Sequence, residues 1–298
     1  MKSVQQFLSG IRQGDYLSLA RVLTLVENEL PGSAELLSAM EINQNIPIIG
    51  ITGPPGAGKS TLVNALISKL SEQQKKVAVL AVDPTSPFNL GSLLGDRVRM
   101  SAHFNKPDVY IRSVATRGSV GGLSARIIEM ADVLKAANFD YIIVETVGVG
   151  QSEIEIAGLA DVTLVVLVPE GGDEIQHIKS GIMEIADAFI VNKADREGAD
   201  SFANQLRKML HHSPKLVPVF KTIAEKDEGI DELLSWVETN NKPENARKLF
   251  LYTEKAYQLI RNKRMHSVAK MELQEAIAER YLDESFNLYQ FVSTYENL

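Results

Sequence analysis

The run Gly53-Pro54-Pro55-Gly56-Ala57-Gly58-Lys59-Ser60-Thr61 has the residue types and spacing to grip a polyphosphate. It fits G-x-x-x-x-G-K-[ST], the phosphate-binding P-loop. Its glycines let successive backbone N–H groups turn inward around phosphate oxygens, and a helix starting there adds positive dipole. Lys59 is spaced to reach the β- and γ-phosphates, and Ser60 to ligate Mg²⁺. Both flanks suit the motif. The apolar run Ile46–Thr52 predicts a strand leading in, and Leu62, Val63, Leu66, Ile67 and Leu70 predict a helix leading out.

Asn192-Lys193-Ala194-Asp195 closes another apolar run and has the N-K-x-D form of a guanine-reading loop. The Asp195 carboxylate can accept from both N1–H and the exocyclic amino group of guanine. Adenine offers neither, so a buried Asp195 would be left unsatisfied, at a cost of roughly 3 kcal/mol. Lys193 can lay its aliphatic stem over the base, and Asn192 can tie its loop to the P-loop. Thr222-Ile223-Ala224, after the last apolar run, stands where backbone can be offered to guanine O6.

Glu145-Thr146-Val147-Gly148-Val149-Gly150-Gln151 follows the run Tyr141–Val144. A carboxylate at a strand end beside a P-loop is placed to be the second Mg²⁺ anchor. Gly148 lacks a side chain, so its N–H can approach a γ-phosphate closely. A loop held by that contact is released when the phosphate leaves, which makes a switch. Asp83, in Val82-Asp83-Pro84, is a candidate for Mg²⁺ through water, or for orienting the attacking water. Asp96 is a candidate for a metal or catalytic role, and a local ion pair with Arg97 is the competing reading. Arg117-Gly118-Ser119-Val120-Gly121-Gly122 reads equally as an anion nest, a hinge or a plain loop. Asp173 and Glu174 suit a helix N-terminus. His211 and His212 read as a helix end rather than a metal pair, since adjacent helical residues do not face one another. Trp236 reads as core.

Buried strands are needed to bring these motifs together. The runs 46–52, 77–82, 109–115, 141–146, 162–168, 188–193 and 216–221 are mostly apolar throughout, as in strands covered on both faces. Helical patterns between them predict βαβ crossovers and a mainly parallel sheet. Such sheets bind ligands at the carboxyl ends of their strands, where every motif above falls. We therefore expect an α/β class, a P-loop NTPase sheet flanked by helices over residues 46–240. A helical arm should precede it over 1–45, with Asp15 and Ser33 as helix caps. A helical extension should follow over 241–298, with stripes Leu249/Tyr252/Ala256/Leu259/Ile260 and Ala269/Leu273/Ala276/Ile277/Tyr281 and an aromatic tail from Phe286 to Tyr295. That apolar surface can pack on the core or form a dimer interface.

The 298 residues carry a net charge of −7 and no cysteine. Disulfides, Cys-ligated zinc and Cys nucleophiles are excluded, and the charge makes no bid for nucleic acid or anionic membrane. Residues 1–10 lack a long apolar h-region, and no run reaches transmembrane length, so a cytoplasmic protein without membrane insertion is expected.

With these motifs placed, the sequence resembles the MeaB/ArgK family of P-loop GTPases, within a group that includes nickel- and cobalamin-related metallochaperones. The likeness covers nearly the whole chain, from the arm through Gly53–Ser60, Val82-Asp83-Pro84, Arg117-Gly118, Glu145–Ser152, Gly172-Asp173-Glu174 and Asn192–Asp195 to the helical tail. Glu145 replaces the Asp of the D-x-x-G found in ordinary small G proteins, which looks like this family's own form. The resemblance implies GTP or GDP as the bound nucleotide and Mg²⁺ near Ser60, Asp83, Asp96 and Glu145. It implies mobile segments around 83–99, 145–151 and 169–179, and a homodimer joined through the C-terminal helices. It also implies a role as chaperone of an adenosylcobalamin-dependent acyl-CoA mutase such as methylmalonyl-CoA mutase, gating cofactor loading, protection or reactivation. An ATPase or kinase accessory to transport of lysine, arginine or ornithine is the alternative attached to the same family. One departure is Ile223, where the family usually has a small polar residue. The absence of Cys and of a His-rich tract argues against the nickel-handling relatives.

Overall fold

Among the described residues, seven strands form one sheet in the order β3-β2-β4-β1-β5-β6-β7, and every neighbouring pair is parallel. They are β1 Ile48–Thr52, β2 Val77–Asp83, β3 Val109–Ala115, β4 Tyr141–Glu145, β5 Val162–Leu167, β6 Ala188–Val191 and β7 Val219–Lys221. The computed structural model describes residues 3–83, 100–115, 126–146, 152–169, 182–211, 216–240, 246–265, 268–281 and 286–295, with Asp83, Ser101, residues 152–155, Ile182 and Ala246 described by their backbone only. Asp96, Arg117, Gly148, Asp173, Glu174 and His212 lie outside the described residues. So do most of the expected mobile segments.

Continuous apolar runs became strands because both faces of the sheet are covered. Along β5, Val162, Leu164 and Val166 enter the core shared with helix α4 (Lys59–Glu72) and helix α9 (Ile230–Asn240). The alternate residues Val165 and Leu167 pack with Phe202, Ala203, Leu206 and Leu210 of helix α8 (Ala199–Leu210). Trp236 is half-buried against the first core and meets Phe220 at 5.6 Å between ring centroids. His211 is the C-cap of α8.

The arm comprises α1 Val4–Arg12, α2 Tyr16–Glu27 and α3 Ser33–Ala39. Asp15 caps α2 by accepting from the Leu17 N–H. Ser33 is not a cap: Gly32 takes the cap position at φ 90°, and Ser33 is the first helical residue. Val22, Leu23 and Val26 form the buried face of α2, whereas Leu30 lies beyond the helix end and is exposed. The arm is bolted to the sheet side by Arg112 of β3, which donates to Ala20 O and pairs with Glu27 at 2.5 Å. Arg126, at the start of helix α5 (Ile127–Lys135), pairs with Glu29 and Glu129.

The chain divides into two compact units, Met1–Lys248 and Leu249–Leu298. Helix α6 (Ser152–Leu159) and the short α7 (Ile182–Ile185) belong to the first. Helix α10 (Ala246–Arg264) starts in the first unit and carries the chain into the second, which also holds α11 (Lys270–Tyr281) and α12 (Leu288–Thr294). Within the second unit Phe291 is buried and sits among Phe286, Tyr295 and Arg280. Its expected stripe residues Leu249, Leu259, Ile260 and Tyr281 are exposed. Among the described residues no helix is long and apolar enough to cross a membrane.

Candidate nucleotide-binding site

Parallel strands end together, and here the ends of β1, β4 and β6 bring three motifs to one edge. The P-loop turns out of β1 at Gly53 with φ 138°, a conformation closed to ordinary side chains. A Cβ there would sit 2.1 Å from Val166 O, so the loop grazes the neighbouring strand. Gly58, at φ 88°, faces Asn192, whose Nδ2 would lie 2.3 Å from an added Cβ. Ala57 is fully buried, and α4 starts at Lys59.

Lys59 Nζ donates to Gly53 O at 2.9 Å and Pro54 O at 3.0 Å, folding its ammonium across the mouth of the loop. These are neutral carbonyl acceptors. A polyphosphate offers charged ones, which make stronger bonds. Ser60 Oγ donates to Glu145 Oε1 at 2.7 Å, and both residues are buried. Two hard oxygens converging beside a phosphate loop suit Mg²⁺, which takes one or two protein oxygens and fills its octahedron with water and phosphate. Among the described residues no group of three His, Cys, Asp or Glu gathers, so nothing there builds an all-protein cage for a softer ion.

The base end is built around Asn192, 2 % exposed. Its Nδ2 donates to Ala57 O at 3.0 Å, while its Oδ1 accepts from Thr222 Oγ1 at 3.1 Å and from the Ala224 N–H at 3.2 Å. One amide therefore ties the P-loop, the β6 end and the 222–224 turn together. Lys193, at φ 55°, reaches back to Gly56 O at 2.8 Å, so its stem runs along a cleft of about 100 Å³. Asp195, Ile223, Ala224, Glu225 and Thr61 also line that cleft.

Two features differ from the sequence reading. Asp195, expected to be buried, is exposed in the structure and stands 3.9 Å from the Lys226 ammonium. The N–H groups of Thr222, Ile223 and Ala224 are already committed, to Val191 O, Glu228 O and Asn192 Oδ1. The motif reading also overlooked Thr52 and Thr146, buried side chains hydrogen-bonded at 2.9 Å that pin the start of the P-loop beside Glu145. Their positions, one before Gly53 and one after Glu145, were the available signal.

The family model for the methylmalonyl Co-A mutase-associated GTPase MeaB matches residues 19–282. The chain belongs to the MeaB family. A GTPase-named protein of Pyrococcus abyssi is 46 % identical over 238 residues, covering 77 % of this chain and 74 % of that one. The fused isobutyryl-CoA mutase of Geobacillus kaustophilus is 33 % identical over 321 aligned positions, covering 97 % of this MeaB-family chain and 29 % of its own. The crystal structure of a LAO/AO transport system kinase superposes with a TM-score of 0.68 at 28 % identity, covering 97 % and 96 % of the two chains. The P-loop NTPase fold read from the strand and helix pattern is the fold observed.

The Gly58–Asn192 contact gives a direct prediction. Gly58→Ala should cost about 1–2 kcal/mol through the left-handed backbone alone. It should also lower GDP affinity ~10-fold by pushing Asn192 off Ala57. Thermal unfolding with calorimetric GDP titration checks both.

Proposed function

We propose that this MeaB-family chain is a cytoplasmic, magnesium-dependent GTPase whose nucleotide state governs an adenosylcobalamin-dependent acyl-CoA mutase. The observation that carries the partner is the fused relative, in which a chain like this one is joined to a mutase named for isobutyryl-CoA. The family is itself named for association with methylmalonyl-CoA mutase, which supports the same class of client. In this reading the P-loop amides and Lys59 hold the phosphates and neutralise charge on the transferring phosphoryl group. Ser60 and Glu145 hold Mg²⁺, with Asp83 and Asp96 as further candidates for the ion or the attacking water. Asp195 reads guanine, Gly148 senses the γ-phosphate, and the output is conformational rather than metabolic. Intrinsic turnover is slow and rises with the client. The exposed apolar residues of the second unit, Leu249, Phe250, Tyr257 and Ile260 among them, support a homodimer built through it.

The test is a pull-down from a cell extract with the protein loaded with GDP or with a non-hydrolysable GTP analogue. Recovery of a cobalamin-dependent mutase with one nucleotide and not the other is the expected result. Failure to retain any such mutase in either state would remove the client from the reading. For the metal, Ser60→Ala should weaken Mg²⁺ binding in the GDP complex ~10-fold or more while leaving metal-free GDP affinity nearly unchanged. Titration of Mg²⁺ against a fluorescent GDP complex measures this. The likeness to a transport-system kinase favours one alternative, an ATP-using kinase of amino-acid transport. Base preference separates the two.

A further inference from the structure

Glu145 stands on the last rung of its ladder. Strand β4 ends its pairing with β1 at Ile51 and Glu145, and its pairing with β2 at Ala81 and Glu145. One residue on, Thr146 fastens the departing chain twice. Its N–H donates to Ile51 O at 3.0 Å, and its Oγ1 donates to Thr52 Oγ1 at 2.9 Å. Both threonines are buried, so water does not compete for the bond between their hydroxyls.

Successive strand residues face opposite sides of a sheet. Glu145 faces α4, where Ser60 Oγ donates to it. Thr52 shares the face of Gly50, and a Cβ on Gly50 would lie 2.7 Å from Ile156 Cγ1 of α6. The threonine pair is therefore on the reverse of the sheet from the carboxylate, and it reaches Glu145 through backbone rather than by contact. The two ends of the pair are not equally held. Thr52 sits in the ladder between β1 and β5, opposite Val165. Next to it, a Cβ on Gly53 would lie 2.1 Å from Val166 O, so the start of the P-loop is fixed against β5. Thr146 lies past the end of β4. Breaking the hydroxyl bond therefore loosens Glu145 and leaves the P-loop in place.

We infer that the Thr52–Thr146 hydroxyl pair is a positioning element that holds the Glu145 carboxylate opposite Ser60 at the spacing Mg²⁺ needs. It sets metal affinity without contributing to nucleotide affinity. Functional sites tolerate misplacement of only about 0.5 Å, and Mg²⁺ demands a near-ideal octahedron. The inference rests on the reading of Ser60 and Glu145 as the Mg²⁺ anchors.

Titration of Mg²⁺ against the fluorescent GDP complex of the full-length protein tests it, with metal-free GDP affinity and thermal unfolding measured alongside. Thr146→Val should weaken Mg²⁺ binding ~10-fold or more, as loss of a group that orients a metal ligand commonly does. Metal-free GDP affinity should stay within ~2-fold of wild type. Thr146→Ser keeps the hydroxyl and should hold Mg²⁺ affinity within ~3-fold of wild type. Thr146→Val alone leaves the Thr52 hydroxyl buried without that partner, which lowers stability. Combining it with Thr52→Val removes both hydroxyls, so stability should largely return while Mg²⁺ binding stays weak. Unchanged Mg²⁺ affinity in Thr146→Val overturns the inference. So does an equal loss of metal-free GDP affinity, or recovery of Mg²⁺ affinity together with stability in the double variant, which would make the pair a packing contact. Unchanged Mg²⁺ affinity in Ser60→Ala would instead sink the reading of the metal site, and the positioning role with it.

Discussion

Asp195→Asn is expected to raise the Kd for GDP and GTP by ~10²–10³-fold, the equivalent of about 3–4 kcal/mol. The aspartate would accept from two guanine N–H groups, and each bond to a charged acceptor contributes about 1.5–3 kcal/mol. An amide keeps one acceptor oxygen and presents an NH₂ group to the guanine amino group, donor against donor. Xanthine carries a carbonyl at that position, so the same variant should bind xanthosine diphosphate better than GDP. ATP binding should be unaffected, because adenine has nothing for Asp195 to accept. Calorimetric titration of the four nucleotides in the presence of Mg²⁺ provides the comparison. Equal binding of ATP and GTP by the wild type, unmoved in the variant, would favour the transport-kinase alternative. The geometry leans the other way. Asn192 fastens the turn at 222–224 to the P-loop, and an organised base pocket beside Asp195 is what specificity requires.

What could be read from the sequence follows the range of the interactions. The turn at Gly53–Lys59 and the β6 end stood out in the sequence because each carries particular residues at fixed spacing, and the structure brings the two together through Asn192 and Ala57. The strands were legible because burial on both faces leaves an uninterrupted apolar run, as Val162–Leu167 does. Their ends were less so. The run at 216–221 yields only Val219–Lys221, because the ladder needs a partner and β6 pairs with those three residues. Ser33 looked like a cap by type, but the left-handed turn at Gly32 took that position. In the second unit the helical stripes announced apolar faces without saying what covers them. Pattern fixes the face; tertiary packing decides its exposure, and Leu249 is 72 % exposed. Within the first unit, the ion pairs Arg112–Glu27 and Lys248–Asp161 join residues far apart in the chain. No local rule foresees them. The same is true of Lys135, a basic residue in the last turn of α5, where helices ordinarily show lysine to solvent.

Lys135 is instead 1 % exposed, close to Lys248 and Asp161, with Gln44 Oε1 accepting from its Nζ at 3.3 Å. Two ammonium groups thus share the neighbourhood of one carboxylate. Burial first, and the nearby Lys248 charge second, push the Lys135 pKa down to about 8 from its ordinary 10.5. Holding this lysine protonated in the folded protein costs about 3 kcal/mol relative to the unfolded chain, at about 1.4 kcal/mol per pH unit of displacement. The sign follows from proton binding. Between pH 8 and 10.5 the unfolded chain holds the proton and the folded one has lost it, so this group's cost fades as pH rises through that window. Below pH 8 the cost is present in full. Lys135→Met removes the charge, keeps most of the volume and leaves Lys248 with Asp161 as a one-to-one pair. It should therefore stabilise the protein by up to about 3 kcal/mol at pH 7. Urea unfolding of both proteins at pH 7 and pH 9.5 measures the difference, which must narrow at the higher pH. A gain that stayed constant with pH would mean that packing, not the buried charge, is what the substitution changed.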